Sequence, residues 1–203
     1  MMYFRMVIVA IAACFGGEVA SANDVIGELK QGGYVLVIRH TATDESQKDV
    51  FPFRYDDMKL QRQLSENGRA AAGAIGADIK KAGIPLDKVY TSKLNRAVET
   101  GKLLTGKEVE TRDELTDSGA GSASSMANPT GANTKVGAAI RTLANAAPAS
   151  GSNNVLVTHK TNIADAFGKE YADVSEGESI ILKPESGSQA KIIGRIKPSD
   201  WRQ

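Results

Sequence analysis

Two histidines occur among the 203 residues, His40 and His159. Each stands directly after an apolar, β-branched run. Tyr34-Val35-Leu36-Val37-Ile38 leads through Arg39 to His40, and Asn154-Val155-Leu156-Val157-Thr158 leads to His159. Ligands of open α/β sheets bind beyond the carboxyl ends of the strands. A single histidine in such a place is most often structural; two of them, with an arginine beside the first, form a constellation. Arg39 can grip a phosphate with two parallel hydrogen bonds. A neutral imidazole is a competent nucleophile toward phosphorus once held in line. Cationic groups around the phosphoryl oxygens then stabilise the transition state. The chemistry these residues can do is phosphoryl transfer with His40 as nucleophile. Two histidines without a carboxylate at fixed spacing make no recognisable metal site, so neither metal nor cofactor is called for.

The elements that must position these residues follow from patterning. Runs like those before His40 and His159 suit strands buried on both faces of a parallel sheet. Between them, Ser65 reads as the N-cap of an alanine-rich helix to about Lys81, closed by Gly83 and Pro85. Lys88 to Thr91 reads as a short strand, Lys93 to about Leu104 as a helix, and Glu108 to Thr111 as a third strand. Val136 to Ala147 reads as a helix ending before Pro148, and about Asn162 to Gly168 as another. Ser179 to Leu182 and Lys191 to Ile196 form a terminal strand pair around Glu185-Ser186-Gly187-Ser188. Alternating strands and helices argue for one α/β domain with a mostly parallel central sheet. The segments Asp44–Gln63 and Ser118–Thr134 read as loops, the second rich in Gly, Ser and Ala.

The chain is long enough for one domain with a sizeable core. A formal net charge of +1 gives no pull toward nucleic acid. Met1 to Arg5, the apolar run Met6 to Phe15 and the small residues Ala20-Ser21-Ala22 read as a signal peptide. Its apolar core of about ten residues is too short to span a bilayer. Cleavage after Ala22 predicts a single domain over residues 23–203, periplasmic or secreted. The alternative is a lipobox at Ile11-Ala12-Ala13-Cys14, with Cys14 lipidated and the protein anchored to a membrane. Cys14 is the only cysteine, so a domain cut at Ala22 has no thiol for a disulfide or a catalytic role.

Three segments in order carry a resemblance. Arg39-His40-Thr41-Ala42-Thr43 resembles the Arg-His-Gly-x-Thr signature of the histidine phosphatase superfamily, which includes the cofactor-dependent phosphoglycerate mutases. Thr91 through Thr100, reading TSKLNRAVET, is similar to the family's Ser-x-Leu-x-Arg-Ala-x-x-Thr. Val157-Thr158-His159 resembles the strand-borne second histidine, and Leu64-Ser65-Glu66-Asn67-Gly68 the start of the first helix. The resemblance covers roughly Gly33 to Ile196. It implies a three-layer α/β/α fold of phosphoglycerate-mutase type. It also implies that His40 forms a phosphohistidine and that Arg39, Arg96 and His159 complete the phosphate pocket. Thr43 would contact phosphate or hold the loop, and Ser92 would cap the helix.

The sequence departs from the family at Thr41, where glycine is usual, and at Lys160 after the second histidine. Thr41 is expected to add a side chain beside the pocket. The general acid has two candidates in Asp113-Glu114-Leu115-Thr116-Asp117: Asp117, two residues after Leu115 as in the family pattern, and Glu114 as the fallback. Asp44 and Glu45 remain open for the same role. Such an acid must hold its proton near working pH. The expected function is hydrolysis of phosphate monoesters, on a phosphorylated small molecule or a phosphoprotein. The alternative is a catalytically weak phosphate- or phosphoprotein-binding module of the same fold, if no carboxylate reaches the leaving group.

Overall fold

A computed structural model describes residues 22–116 and 134–202. Residues 1–21 of the proposed leader 1–22 and the acid candidate Asp117 lie outside the described residues. Among the described residues six strands form one sheet in the order β3-β2-β4-β1-β5-β6. They are β1 (Val35–Arg39), β2 (Leu86–Thr91), β3 (Glu110–Thr111), β4 (Asn153–Thr158), β5 (Ser179–Lys183) and β6 (Lys191–Ile196). β1, β2, β3 and β4 are mutually parallel, while β5 runs antiparallel to β1 and β6 antiparallel to β5. The sheet is therefore mixed and mostly parallel, with the expected terminal pair on one side.

Period-two alternation divides β1 between two cores. Leu36 and Ile38 face the side covered by α1 (Ala22–Leu29), α2 (Glu66–Lys81) and α3 (Asn95–Thr105). Val35 and Val37 face the side covered by α4 (Thr134–Ala144) and α5 (Lys160–Phe167). Among the described residues five helices thus flank one sheet, giving the three-layer architecture. Both faces are dry: Val35, Leu36, Val37 and Ile38 are each fully buried. That is why β1 reads as an unbroken apolar run rather than an alternating one.

Three local features place the site. Ser65 accepts the Gly68 N–H on its side-chain oxygen at 3.0 Å, the expected cap of α2. The start of α2 is pressed against Ala42, with the Ser65 N–H donating to the Ala42 carbonyl at 3.1 Å. A Cβ on Gly68 would stand 1.9 Å from that carbonyl oxygen, so only glycine permits the approach. On the other side the Gly177 N–H donates to the Arg39 carbonyl at 3.0 Å. The turn before β5 is thereby tied to the end of β1.

Candidate active site

Parallel strands share one direction, so β1, β2 and β4 bring their carboxyl ends to one edge of the sheet. The ladder runs one residue beyond β1: the His40 N–H donates to the Thr158 carbonyl at 3.0 Å. Ser92, one residue past β2, donates its N–H to the Val157 carbonyl at 3.0 Å. His159 follows β4 directly. The two imidazoles meet edge to face, with ring centroids 5.2 Å apart, and both are buried.

Backbone contacts settle which nitrogen of His40 can react. Nδ1 lies 2.8 Å from the Thr41 carbonyl oxygen. A carbonyl only accepts, so Nδ1 carries the hydrogen and Nε2 keeps its lone pair. Burial first, then the positive charges of Arg96, Arg39 and Arg62, hold His40 well below the ordinary 6.5; the Thr41 hydrogen bond opposes this but is outweighed. The ring is therefore neutral at neutral pH, with Nε2 as a nucleophile. His159 is held low for the same reasons: burial, then Arg96, His40, Arg62 and Arg39. Its Nε2 lies 2.8 Å from the Ser92 hydroxyl oxygen, and its buried Nδ1 makes no hydrogen bond among the described residues.

Arg96 sits in the first turn of α3 and is fully buried. Its Nη1 donates to Asp49 Oδ1 at 3.0 Å and to the Arg62 carbonyl at 3.5 Å. Arg39 follows the parity of Val35 and Val37, so its side chain lies on the α4–α5 face. There Nη1 donates to the Val174 carbonyl at 2.8 Å and Nη2 to Glu176 Oε1 at 3.2 Å. Its guanidinium is held below its usual range, chiefly by burial. Arg62 is a third cation at the site, since its charge presses on His40, His159 and Arg39 alike. No motif in the sequence alone marks Arg62 or Asp49. Both lie in the stretch 44–63, which carries no periodicity. The one signal available was a basic residue just before the Leu64-Ser65 entry to α2.

Other expected residues fall as follows. Thr43 is buried and forms an isolated antiparallel bridge with Leu64, which holds the loop after β1. Thr41 does not leave its hydroxyl free beside the histidines. Its N–H donates to Thr100 Oγ1 at 3.2 Å, and its hydroxyl lies 3.2 Å from the same atom. Thr100 Oγ1 in turn donates to the Arg96 carbonyl at 2.7 Å. Thr41 Oγ1 must therefore be the donor of its pair, and this chain ties the His40 backbone to the helix that carries Arg96. Ser92 does not cap α3 either. Leu94 is the N-cap residue and makes no side-chain cap. Ser92 Oγ instead accepts the Leu94 N–H at 3.1 Å and contacts His159, because the chain needs two more residues of turn before the helix begins. Lys160 is the first residue of α5.

The acid candidates separate. Glu114 and Glu45 are exposed. Asp44 accepts the Ser46 hydroxyl at 2.6 Å and the Ser46 N–H at 2.9 Å, which hold its carboxyl below the usual range. The segment leading toward Asp117 is pinned. Asn162 Nδ2 donates to the Leu115 and Thr116 carbonyls at 3.0 and 3.2 Å, and Thr116 Oγ1 accepts the Lys93 N–H at 2.9 Å. Among the described residues no group of three or more His, Cys, Asp or Glu could hold a metal ion.

Two buried neutral histidines and three arginines gather at the carboxyl edge of a three-layer α/β sheet, a cluster whose charge suits an anion. Comparison with known proteins carries this to a family. The model of the histidine phosphatase superfamily, branch 1, matches residues 35–153, more than half of the chain, and the chain belongs to that family. A phosphoglycerate mutase of Candida albicans is 33% identical over 69 residues, which cover 34% of this chain and 26% of that protein. The alignment thus spans about a quarter of that relative. Among solved structures, the protein histidine phosphatase SixA complexed with tungstate is similar, with a TM-score of 0.55 at 16% identity over 83% of this chain and 99% of that one. A mycobacterial glucosyl-3-phosphoglycerate phosphatase gives 0.54 at 21% identity over 79% and 98%. At these identities the structural likeness shows the fold alone.

Proposed function

We propose that the protein is a phosphatase that hydrolyses phosphate monoesters through a phosphohistidine on His40. The observation that carries this is the tautomer and charge of His40: neutral, hydrogen on Nδ1, lone pair on Nε2, beside His159 and with three guanidinium charges acting on it. In the first step Nε2 attacks phosphorus; the N–P bond forms as the P–O bond to the leaving group breaks. The leaving oxygen takes a proton from a carboxylic acid, assigned to Asp117 with Glu114 as the alternative. In the second step water attacks the phosphorus and the N–P bond breaks. The carboxylate recovers its proton from that water, and inorganic phosphate leaves. Arg39, Arg62, Arg96 and His159 surround the phosphoryl oxygens, over which the transition-state charge is spread.

The substrate is a phosphorylated small molecule or a phosphoprotein. Both kinds of phosphatase occur among the similar structures, by the names of SixA and of the mycobacterial enzyme. The leader-like residues 1–22 support action outside the cytoplasm, as a free protein or one anchored through Cys14. The exposure of Glu114 favours a second reading, a weak catalyst that chiefly binds phosphate or phosphoprotein.

The deciding experiment mixes purified protein with a panel of phosphate monoesters. It records phosphate release and seeks phosphate on His40 by mass spectrometry after acid-free quenching. Release, an adduct at His40 and loss of both in a folded His40→Ala variant are expected. Full activity in His40→Ala would overturn the assignment. Asp117→Asn is expected to slow poor leaving groups more than good ones. Equal slowing for both would remove Asp117 as the acid.

A further inference from the structure

Asp49 is a buried carboxylate for which the proposed hydrolysis has no use. Its side chain is 7% exposed and that of Arg96 is 0% exposed. Asp49 Oδ1 accepts Nη1 of Arg96 at 3.0 Å and the backbone N–H of Arg62 at 2.9 Å. One carboxylate oxygen therefore holds two parts of the cationic wall at once. Arg96 is fully buried in the first turn of α3 and its charge acts on both histidines, so on the phosphate-pocket reading it is a partner of a phosphoryl group at His40. A phosphate there brings a second anion close to Asp49 in a dry environment, where like charges repel strongly.

We propose that Asp49 is a positioning residue of the phosphate pocket. It braces Arg96 and Arg62, and its negative charge loosens the pocket's hold on the phosphate product. This rests on the phosphate-pocket reading above. The brace and the charge are separable. Asparagine keeps an oxygen that can accept both hydrogen bonds and removes the charge alone. Alanine removes both. Without the carboxylate charge the pocket carries one positive charge more and should retain inorganic phosphate, so release slows as affinity rises.

The test is calorimetric titration of inorganic phosphate into the intact protein and its variants, with phosphate inhibition of aryl phosphate hydrolysis in parallel. Asp49→Asn is expected to bind phosphate about tenfold more tightly than the wild type, with a matching fall in the inhibition constant and a lower kcat. Asp49→Ala is expected to lose kcat further, because Arg96 is no longer held. Equal or weaker phosphate binding by a folded Asp49→Asn protein would overturn the proposal, since a purely structural role leaves affinity unchanged or reduces it. If the asparagine variant does not fold, Asp49→Gln, which also keeps an amide oxygen and loses the charge, makes the charge comparison. Phosphate binding by neither wild type nor variant would instead refute the pocket reading itself. That outcome is distinct, because it fails before any substitution is made.

Discussion

Two arginines approach the histidine pair from opposite faces of the sheet, and they are held in different ways. Arg96 comes from the α1–α3 face, is fully buried and is paired with a buried carboxylate. Arg39 comes from the α4–α5 face, keeps 20% of its side chain exposed and is paired with Glu176, which is 37% exposed. Water screens the second pair and scarcely reaches the first. The same residue type therefore has unequal weight on the two sides. Arg96 dominates the electrostatics of the histidines, whereas Arg39 ranks behind it for both. Side-chain type makes both arginines candidates for holding phosphate, but only burial and partner separate a strong field from a screened one.

Arg96→Ala tests this most severely. It removes the cation and leaves Asp49 buried without it. Breaking such a pair costs on the order of 3–5 kcal/mol in stability, measurable by urea denaturation. The rate on a phosphate monoester is expected to fall by about a thousandfold, as when a preorganised transition-state donor is lost. Adding Asp49→Asn should restore part of the stability and little of the rate. A loss no larger than that of Arg39→Ala would erase the distinction between the two faces.

These two arginines also mark how far the sequence could be read. β1, β4 and β5 were visible because a strand buried on both faces must be apolar throughout, β6 because the turn Glu185-Ser186-Gly187-Ser188 pairs it with β5, and α2 because Ser65 is a cap. β3 was expected from Glu108 and pairs only at Glu110 and Thr111, since an edge strand has a single neighbour to extend it. α4 ends at Ala144 rather than Ala147 because the Asn145 side chain bonds the Glu185 N–H and the Ser188 carbonyl. α1 was hidden by its place directly after the leader-like segment. Arg39, His40, Arg96 and His159 were legible as motif residues on regular elements. Asp49 and Arg62 were not. They lie 47 and 34 residues from Arg96 in the chain, on a loop without periodicity, and only the folded chain brings them there.

The pH dependence sharpens the comparison. Both histidines are held neutral, well below 6.5. In the unfolded chain they take a proton near 6.5; in the folded chain they do so only at lower pH. The stability arising from their burial is therefore complete above about 6.5 and is lost as pH falls toward the lower folded values. Each histidine contributes a slope of about 1.4 kcal/mol per pH unit within that window. Urea midpoints measured downward from pH 7 should fall, and fall less in a folded variant with both histidines replaced by asparagine. The acid limb of kcat/KM should likewise lie below 6.5. Arg96→Gln should move it upward, because the strongest charge opposing protonation is gone, while Arg39→Gln should move it less. A limb that shifts equally in the two variants would contradict the ranking of the two charges.

Arg39→Ala is the mildest of these perturbations. Its pair with Glu176 is partly solvated, and such pairs contribute about 0–1 kcal/mol. Its bond to the Val174 carbonyl joins the end of β1 to the turn before β5, so a small stability loss comes from that side as well. Activity should fall by about tenfold, well short of the effect at Arg96. Glu176→Gln bears on why. If Glu176 restrains Arg39 from the phosphate, the glutamine variant should lower KM and leave stability within about 0.5 kcal/mol. If KM rises instead, Glu176 is holding Arg39 in its working position, and the α4–α5 face then contributes by geometry as the opposite face contributes by charge.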